Sequence, residues 1–349
     1  MFCYLSHNYR NLTSAGNKAK SDVELIMQRE GYKNVGLKQT HYKNMVLSFL
    51  LNLCGVLKAP FCLHAGDVLV LQYPVKKFYT LICVLAHMRG AKVVTIIHDL
   101  GAFRRKRLTV EQETSRLSHS DFLVCHNPNM KQHLRKTGCK IPLHCQQIWD
   151  YISASSPASY ATPHKPYSVV YAGDLARGRS NFLYHLDPII RNYTLSLYGS
   201  GLDEAAASKW QRVDYRGYLP SERFIAEVRA DFGLVWDSSS LDACDGAWGE
   251  YLKINNPHKT SFYLRAGIPV IVWREAAMAP FVESHGVGIV VSSLRELDER
   301  LKLLATENYA VMRRNAQQMA QRLAEGYFVK QALEKADDYF EMKRQDESC

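Results

Sequence analysis

Residues 93–99 read Val93-Val94-Thr95-Ile96-Ile97-His98-Asp99, five β-branched residues in a row followed by two polar ones. An unbroken β-branched run marks a strand covered on both faces, the condition of a central strand in a parallel sheet. Phe2 to Leu5, Val68 to Gln72 and Phe122 to Cys125 have the same character, and helical patterns separate them. This alternation predicts a doubly wound α/β domain over residues 1–150. Next comes Ser153-Ala154-Ser155-Ser156-Pro157-Ala158-Ser159, with Pro163 and Pro166 beyond it, a composition typical of linkers. A second series starts at Tyr167 to Ala172 and runs through Tyr193 to Tyr198, Phe232 to Trp236, Pro269 to Val272 and Gly288 to Val291. It predicts a second Rossmann-like domain over 151–330, with 331–349 a helix returning to the first. From Leu294 onward, Leu301, Leu304 and Tyr309 are expected to pack along the outside. Ligands of open parallel sheets bind beyond the carboxyl ends of the strands, so two such domains facing a central cleft would present their post-strand loops to it.

The bulk numbers narrow the class. With 349 residues, 47% of them hydrophobic, the chain can fill two cores. Lys plus Arg exceed Asp plus Glu by 44 to 34, which favours anionic partners: nucleic acid, phosphorylated small molecules or an anionic membrane leaflet. The sequence has no RNA-recognition signature, zinc-finger spacing or dense basic helix, so nucleic acid is set aside. The nine cysteines are scattered without a CxxC pair and read as reduced thiols, which suits a cytoplasmic protein. The first residues lack the order of a signal peptide. Met45 to Leu63 is the most apolar stretch, but Asn52, Lys58 and Pro60 interrupt it. It is expected to be a buried helix and not to span a membrane, with a helix lying on a membrane surface as the alternative.

Five constellations carry candidate chemistry. Asn255-Asn256-Pro257-His258-Lys259-Thr260-Ser261 precedes the amphipathic run Phe262 to Ala266. Asn256 suits an N-cap and Pro257 the first helical position. Backbone N–H groups at the helix start, the Lys259 ammonium and the hydroxyls of Thr260 and Ser261 would form a diphosphate site; an ordinary capped helix facing water reads the same way. His98 and Asp99 follow a buried strand directly, which puts them at its carboxyl end. Asp99 could remove a proton from an acceptor hydroxyl, with His98 orienting it or holding a sugar hydroxyl; local loop hydrogen bonding is the alternative. Gly16-Asn17-Lys18 opens the helix after the first strand, where a glycine would let a sugar or phosphate approach the backbone. In the second domain, Arg177 and Arg179 could meet phosphates and Asp174 could accept from sugar hydroxyls. Tyr218 could cover a base, or be a buried aromatic. The loop holding Asp237, Asp242, Asp245 and Glu250 could cradle a sugar or a cation. Its spacing matches no calcium loop and there is no DxD triplet, so no essential metal or other cofactor is expected.

The run Ala247-Trp248-Gly249-Glu250-Tyr251-Leu252-Lys253-Ile254-Asn255-Asn256-Pro257-His258-Lys259-Thr260-Ser261, with Gly267-Ile268-Pro269-Val270 after it, closely resembles the bacterial β-1,6-galactofuranosyltransferases of lipopolysaccharide O-antigen assembly. Ala15-Gly16 with Lys18-Ala19, Ile97-His98-Asp99, His126-Asn127-Pro128, Tyr171-Ala172-Gly173 and Phe232 to Asp237 recur in the same order, so the resemblance covers nearly the whole chain. More distantly the chain is similar to the glucosyltransferases that extend glycans on serine-rich adhesins, which share Gly267 to Val270 and a lysine matching Lys259.

The resemblance implies a GT-B hexosyltransferase without a metal requirement. Its C-terminal domain would hold the nucleotide and its N-terminal domain the acceptor. Pro257 to Phe262, Asp174 and the loop around Ala15 would lie at the nucleotide sugar. Two departures stand out: Ala15 can contribute only through its backbone, and Leu219 replaces a basic residue. The expected partners are a UDP-sugar, with UDP-galactofuranose as donor, and a lipid-linked saccharide. The expected place is the cytoplasm, with peripheral attachment to the inner leaflet as a use for the basic surface. A homo-oligomer is compatible with the sequence. A different UDP-hexose, a non-catalytic glycan-binding subunit and a nucleotide-sugar epimerase are the competing readings.

Overall fold

The computed structural model describes residues 1–10, 15–75, 78–104, 108–159 and 165–346. The chain divides into two compact units, Met1–Asp150 with Gly326–Cys349, and Tyr151–Glu325.

In the first unit, β1 (Phe2–Tyr4), β2 (Lys33–Asn34), β3 (Val68–Tyr73), β4 (Lys92–Ile97), β5 (Phe122–Cys125) and β6 (Leu143–Cys145) form one parallel sheet in the order β2-β1-β3-β4-β5-β6. The β-branched run of β4 is central and buried, as its composition requires. β2 and β6 are edge strands of two and three residues, too short to leave an apolar run in the sequence. The helix Tyr327–Asp346 belongs to this unit, and the N–H groups of Phe328 and Val329 in its first turn donate to Asp150 at 3.2 and 2.7 Å. Burial pushes the Asp150 carboxyl up to about 7.

Helix α1 (Ala15–Arg29) follows β1, and α2 (Met45–Cys62) and α3 (Tyr79–Met88) flank β3 in sequence. The expectation of a buried helix at Met45 to Leu63 is wrong. Only 22% of α2 is buried, and by length and composition α2 is apolar enough to cross a membrane. Its inward residues Ser48, Gly55, Val56 and Ala59 are mostly small, so the helix sits close to its unit while Phe49, Leu50, Leu57 and Phe61 stand outside. Hydropathy counts apolar residues without saying which face is covered.

In the second unit, β7 (Tyr167–Asp174), β8 (Tyr193–Ser200), β9 (Val213–Tyr215), β10 (Phe232–Val235), β11 (Val270–Trp273) and β12 (Gly288–Val291) form a parallel sheet in the order β12-β11-β10-β7-β8-β9. Leu301 and Tyr309, expected on the outside, are fully buried in its core. The Tyr309 ring lies 5.1 Å from Tyr167 and 5.3 Å from Phe232, filling the space beneath those two strands. The linker-like serines are also held. Arg265 donates through Nη2 to the carbonyls of Ser153 and Ser155 at 3.1 and 2.6 Å, and Ser153 Oγ donates to Glu222 at 2.5 Å. Small side chains leave those carbonyls within reach of the guanidinium.

The helix His258–Arg265 packs against this sheet through Tyr263, whose ring covers Gly233 of β10. A Cβ at Gly233 would lie 2.3 Å from the Tyr263 Cγ. Tyr263 is fully buried and its hydroxyl accepts from the Ala172 N–H at 2.7 Å, so it has no room to retreat. Gly233→Ala is therefore expected to destabilise the second unit by about 2–3 kcal/mol, as overpacking does. Urea unfolding followed by tryptophan fluorescence would measure this; an unchanged midpoint would mean that Tyr263 yields at little cost.

Candidate functional site

The second unit gathers its chemistry at the carboxyl ends of β7 and β10. The helix begins one residue later than expected. Pro257, extended at φ −63° and ψ 130°, is the N-cap, Asn256 lies buried before it, and the first helical residue is His258. Lys259 projects from this first turn. Its Nζ donates to the Tyr171 hydroxyl at 2.7 Å and to Asp237 Oδ1 at 3.2 Å, and it lies 4.0 Å from the Tyr171 ring centroid. The Asp237 side chain is 4% exposed and that of Lys259 18%, so the ion pair is shielded from solvent on the carboxylate side. Glycine at 173 makes the room: a Cβ there would come within 3.1 Å of Lys259 Cε. Tyr171 is tied in turn to Ser180 Oγ at 2.9 Å, and Ser180 Oγ donates to the Asp174 carbonyl at 2.6 Å. The ammonium position is thus set from three separate segments.

The other candidates of this unit divide. Thr260 and Ser261 are wholly buried, so their hydroxyls face the core and not an open first turn. Among the described residues neither hydroxyl oxygen has a hydrogen-bond partner. The helical repeat turns 260, 261 and 264 inward and leaves His258, Lys259 and Phe262 half-buried. The His258 and Phe262 rings lie 5.0 and 5.5 Å from Tyr151. Asp174 is exposed and its Oδ1 accepts from the Ala176 N–H at 3.1 Å. Arg177, expected at phosphates, is already engaged: Nε and Nη2 donate to Asp203 at 3.0 and 2.9 Å, and the guanidinium lies 4.4 Å from the Tyr184 ring centroid. The Arg179 side chain falls outside the description. Tyr218 is 63% exposed, which removes the buried-aromatic reading. The carboxylates of the acidic loop are dispersed: Asp237 meets Lys259, Asp242 meets Arg295, Glu250 meets Lys253, and Asp245 accepts from Ser238 Oγ.

In the first unit His98 and Asp99 stand directly beyond β4, where the sequence puts them. The His98 ring stacks on Trp149 at 4.4 Å with 9° between planes, and its Nε2 meets Gln72 Oε1 at 2.7 Å. Gln72 Nε2 donates to the Lys20 carbonyl at 3.1 Å, which turns its oxygen toward the histidine and puts the imidazole proton on Nε2. His126, with its pKa lowered to about 4 by burial, presents the other contact on Trp149 at 4.9 Å. The loop that carries Asp99 is anchored by Glu113, which accepts from the N–H groups of Gly101 and Ala102 at 2.8 and 3.1 Å and from the Tyr73 hydroxyl at 2.9 Å. Burial raises the Glu113 carboxyl above its ordinary range, and the Asp99 charge adds to this.

Gly16 and Asn17 lie in the first turn of α1, not in a loop before it; Gly16 is in ordinary helical backbone with open space where a Cβ would be. Ala15 begins that helix, and its side chain falls outside the description. Lys18 is paired with Asp22 one turn on at 2.5 Å. Sequence reading missed Tyr171, Ser180, Gln72, Trp149 and Glu113 as supporting residues. Nothing in the spacing ties these residues to their partners.

The model of the glucosyltransferase 3-like N-terminal domain matches residues 2–148, and that of the corresponding C-terminal domain matches 169–336. The chain is 28% identical over 334 residues to the β-1,6-galactofuranosyltransferase WbbI of Escherichia coli K12, covering 93% of this chain and 94% of the relative. It is 26% identical over 283 residues to glucosyltransferase 3 of Streptococcus gordonii, covering 77% and 78%. Among solved structures it is similar to the lipopolysaccharide outer core galactosyltransferase WaaB, with a TM-score of 0.60 at 12% identity, covering 96% of this chain and 99% of that one. Two parallel six-stranded units, matched in order by both domain models of one family, make this chain a GT-B glycosyltransferase of the glucosyltransferase 3-like family.

Proposed function

We propose that the protein transfers galactofuranose from UDP-galactofuranose to a lipid-linked saccharide during assembly of a cell-surface polysaccharide, at the cytoplasmic face of the membrane. The observation that carries this reading is the Lys259 ammonium, fixed by Tyr171 and Asp237 at the head of a helix beyond the strand ends. A cation beside a helix start favours a diphosphate, and it would take up negative charge as UDP leaves. The match to WbbI over nearly the full length of both chains supports the choice of sugar. In a single in-line displacement Asp99 takes the proton of the attacking acceptor hydroxyl, and the new bond forms as the bond to the diphosphate breaks. Lys259 supplies the positive charge at the leaving group, so the reading invokes no metal.

Similarity to glucosyltransferase 3 supports a second reading, glucosyl transfer from UDP-glucose on the same residues. The two separate cleanly. With a panel of UDP-sugars and a lipid-linked saccharide acceptor, UDP release is expected with UDP-galactofuranose at a rate at least about tenfold above the other donors, in line with pocket-based discrimination. Turnover with UDP-glucose and none with UDP-galactofuranose would replace the donor. UDP binding without transfer from any donor would favour a non-catalytic glycan-binding subunit.

A further inference from the structure

We propose that the apolar face of α2 and α3 is a docking surface for an anionic lipid bilayer, with α2 lying in the plane of the interface. Phe49, Leu50, Leu57 and Phe61 stand out from α2, Phe61 at 86% exposure, and Leu81 and Met88 continue the face on α3. Phe49 meets Phe78, the residue before α3, at 5.3 Å, so the two helices present one continuous patch. Patches of this kind on a protein surface mark something that covers them.

The charge around the patch identifies the cover. Among the described residues Lys43 stands exposed just before α2, Lys58 on it and Arg89 at the end of α3; neither helix holds an acid, and the single acid between Met45 and Met88 is Asp67. Asp67 is itself buried and paired with the N-terminal ammonium at 3.2 Å. An apolar helix face with a cationic surround is the pattern that binds anionic leaflets, where the acyl boundary takes the side chains and the headgroups take the cations. A second copy docked on the same face about a two-fold axis would bring one set of cations onto the other. The helix lies on the surface and does not span it. Ser48, Gly55, Val56 and Ala59 pack inward, and Gly55 faces the Leu37 backbone, where a Cβ would sit in ordinary contact 3.5 Å from its nitrogen. Spanning would require α2 to leave its unit.

The test is co-sedimentation of the full chain with vesicles of phosphatidylcholine alone and of phosphatidylcholine with phosphatidylglycerol in equal parts. The chain is expected to bind the anionic vesicles at least about tenfold more tightly than the neutral ones, and less so as salt rises. The double variant Leu57→Gln, Phe61→Gln is expected to lose at least about tenfold of that binding. Its thermal unfolding and UDP binding should remain as in the native chain, because both residues are exposed. A native chain that stays in solution with both vesicle types overturns the proposal, as does a double variant that sediments like the native chain. So does a native oligomer, seen by light scattering, that the double variant dissociates while vesicles go unbound. These outcomes are independent of which sugar is transferred.

Discussion

Asp99→Asn is expected to lower turnover about 100- to 10,000-fold, the range of a lost general base, while UDP affinity stays within about twofold of the native value. The substitution keeps the shape and removes the ability to take a proton. The loop should hold its place, because its anchor is Glu113 through the backbone of Gly101 and Ala102 and not the Asp99 side chain alone. Single-turnover rates with the preferred UDP-sugar, alongside calorimetric UDP binding, would separate the two effects. Native-like turnover in Asp99→Asn would remove the residue from the mechanism. Equal loss of binding and turnover would show that the change acts on the fold.

Lys259→Ala is expected to weaken UDP binding about 10- to 100-fold, the worth of a charge-assisted hydrogen bond, and to slow transfer about 100-fold further. This variant carries a structural cost, because it leaves the Asp237 carboxylate buried without its ammonium. Breaking one side of a buried pair typically costs about 3–5 kcal/mol. The double variant Lys259→Met, Asp237→Asn removes both charges and is expected to recover most of that stability without recovering UDP binding. If the double variant binds UDP as well as the native chain does, the ammonium has no part in holding the donor.

Much of this site was legible because strands and helix starts are local. The β-branched run at Val93 to Ile97 fixes where the strand ends, and so places His98 and Asp99 beyond it. Lys259 was legible as a helix-start cation, although proline fits both the N-cap and the first helical position and the boundary moved by one residue. Arg177 shows the limit. A free guanidinium and one held by Asp203 look identical in sequence, since the partner lies 26 residues away.

The sequence by itself determined two parallel α/β units and the residues that stand at the ends of their strands, because β-branched runs and helical spacing act over a few neighbours. Tertiary structure alone decided which charges are spent and which faces are covered. Tyr171 reaches Lys259 across 88 positions, Thr260 and Ser261 turn inward because Tyr263 packs on Gly233, and α2 keeps its apolar side outward because small residues fill its inner one. Those outcomes depend on packing between segments distant in the chain, which no local pattern contains.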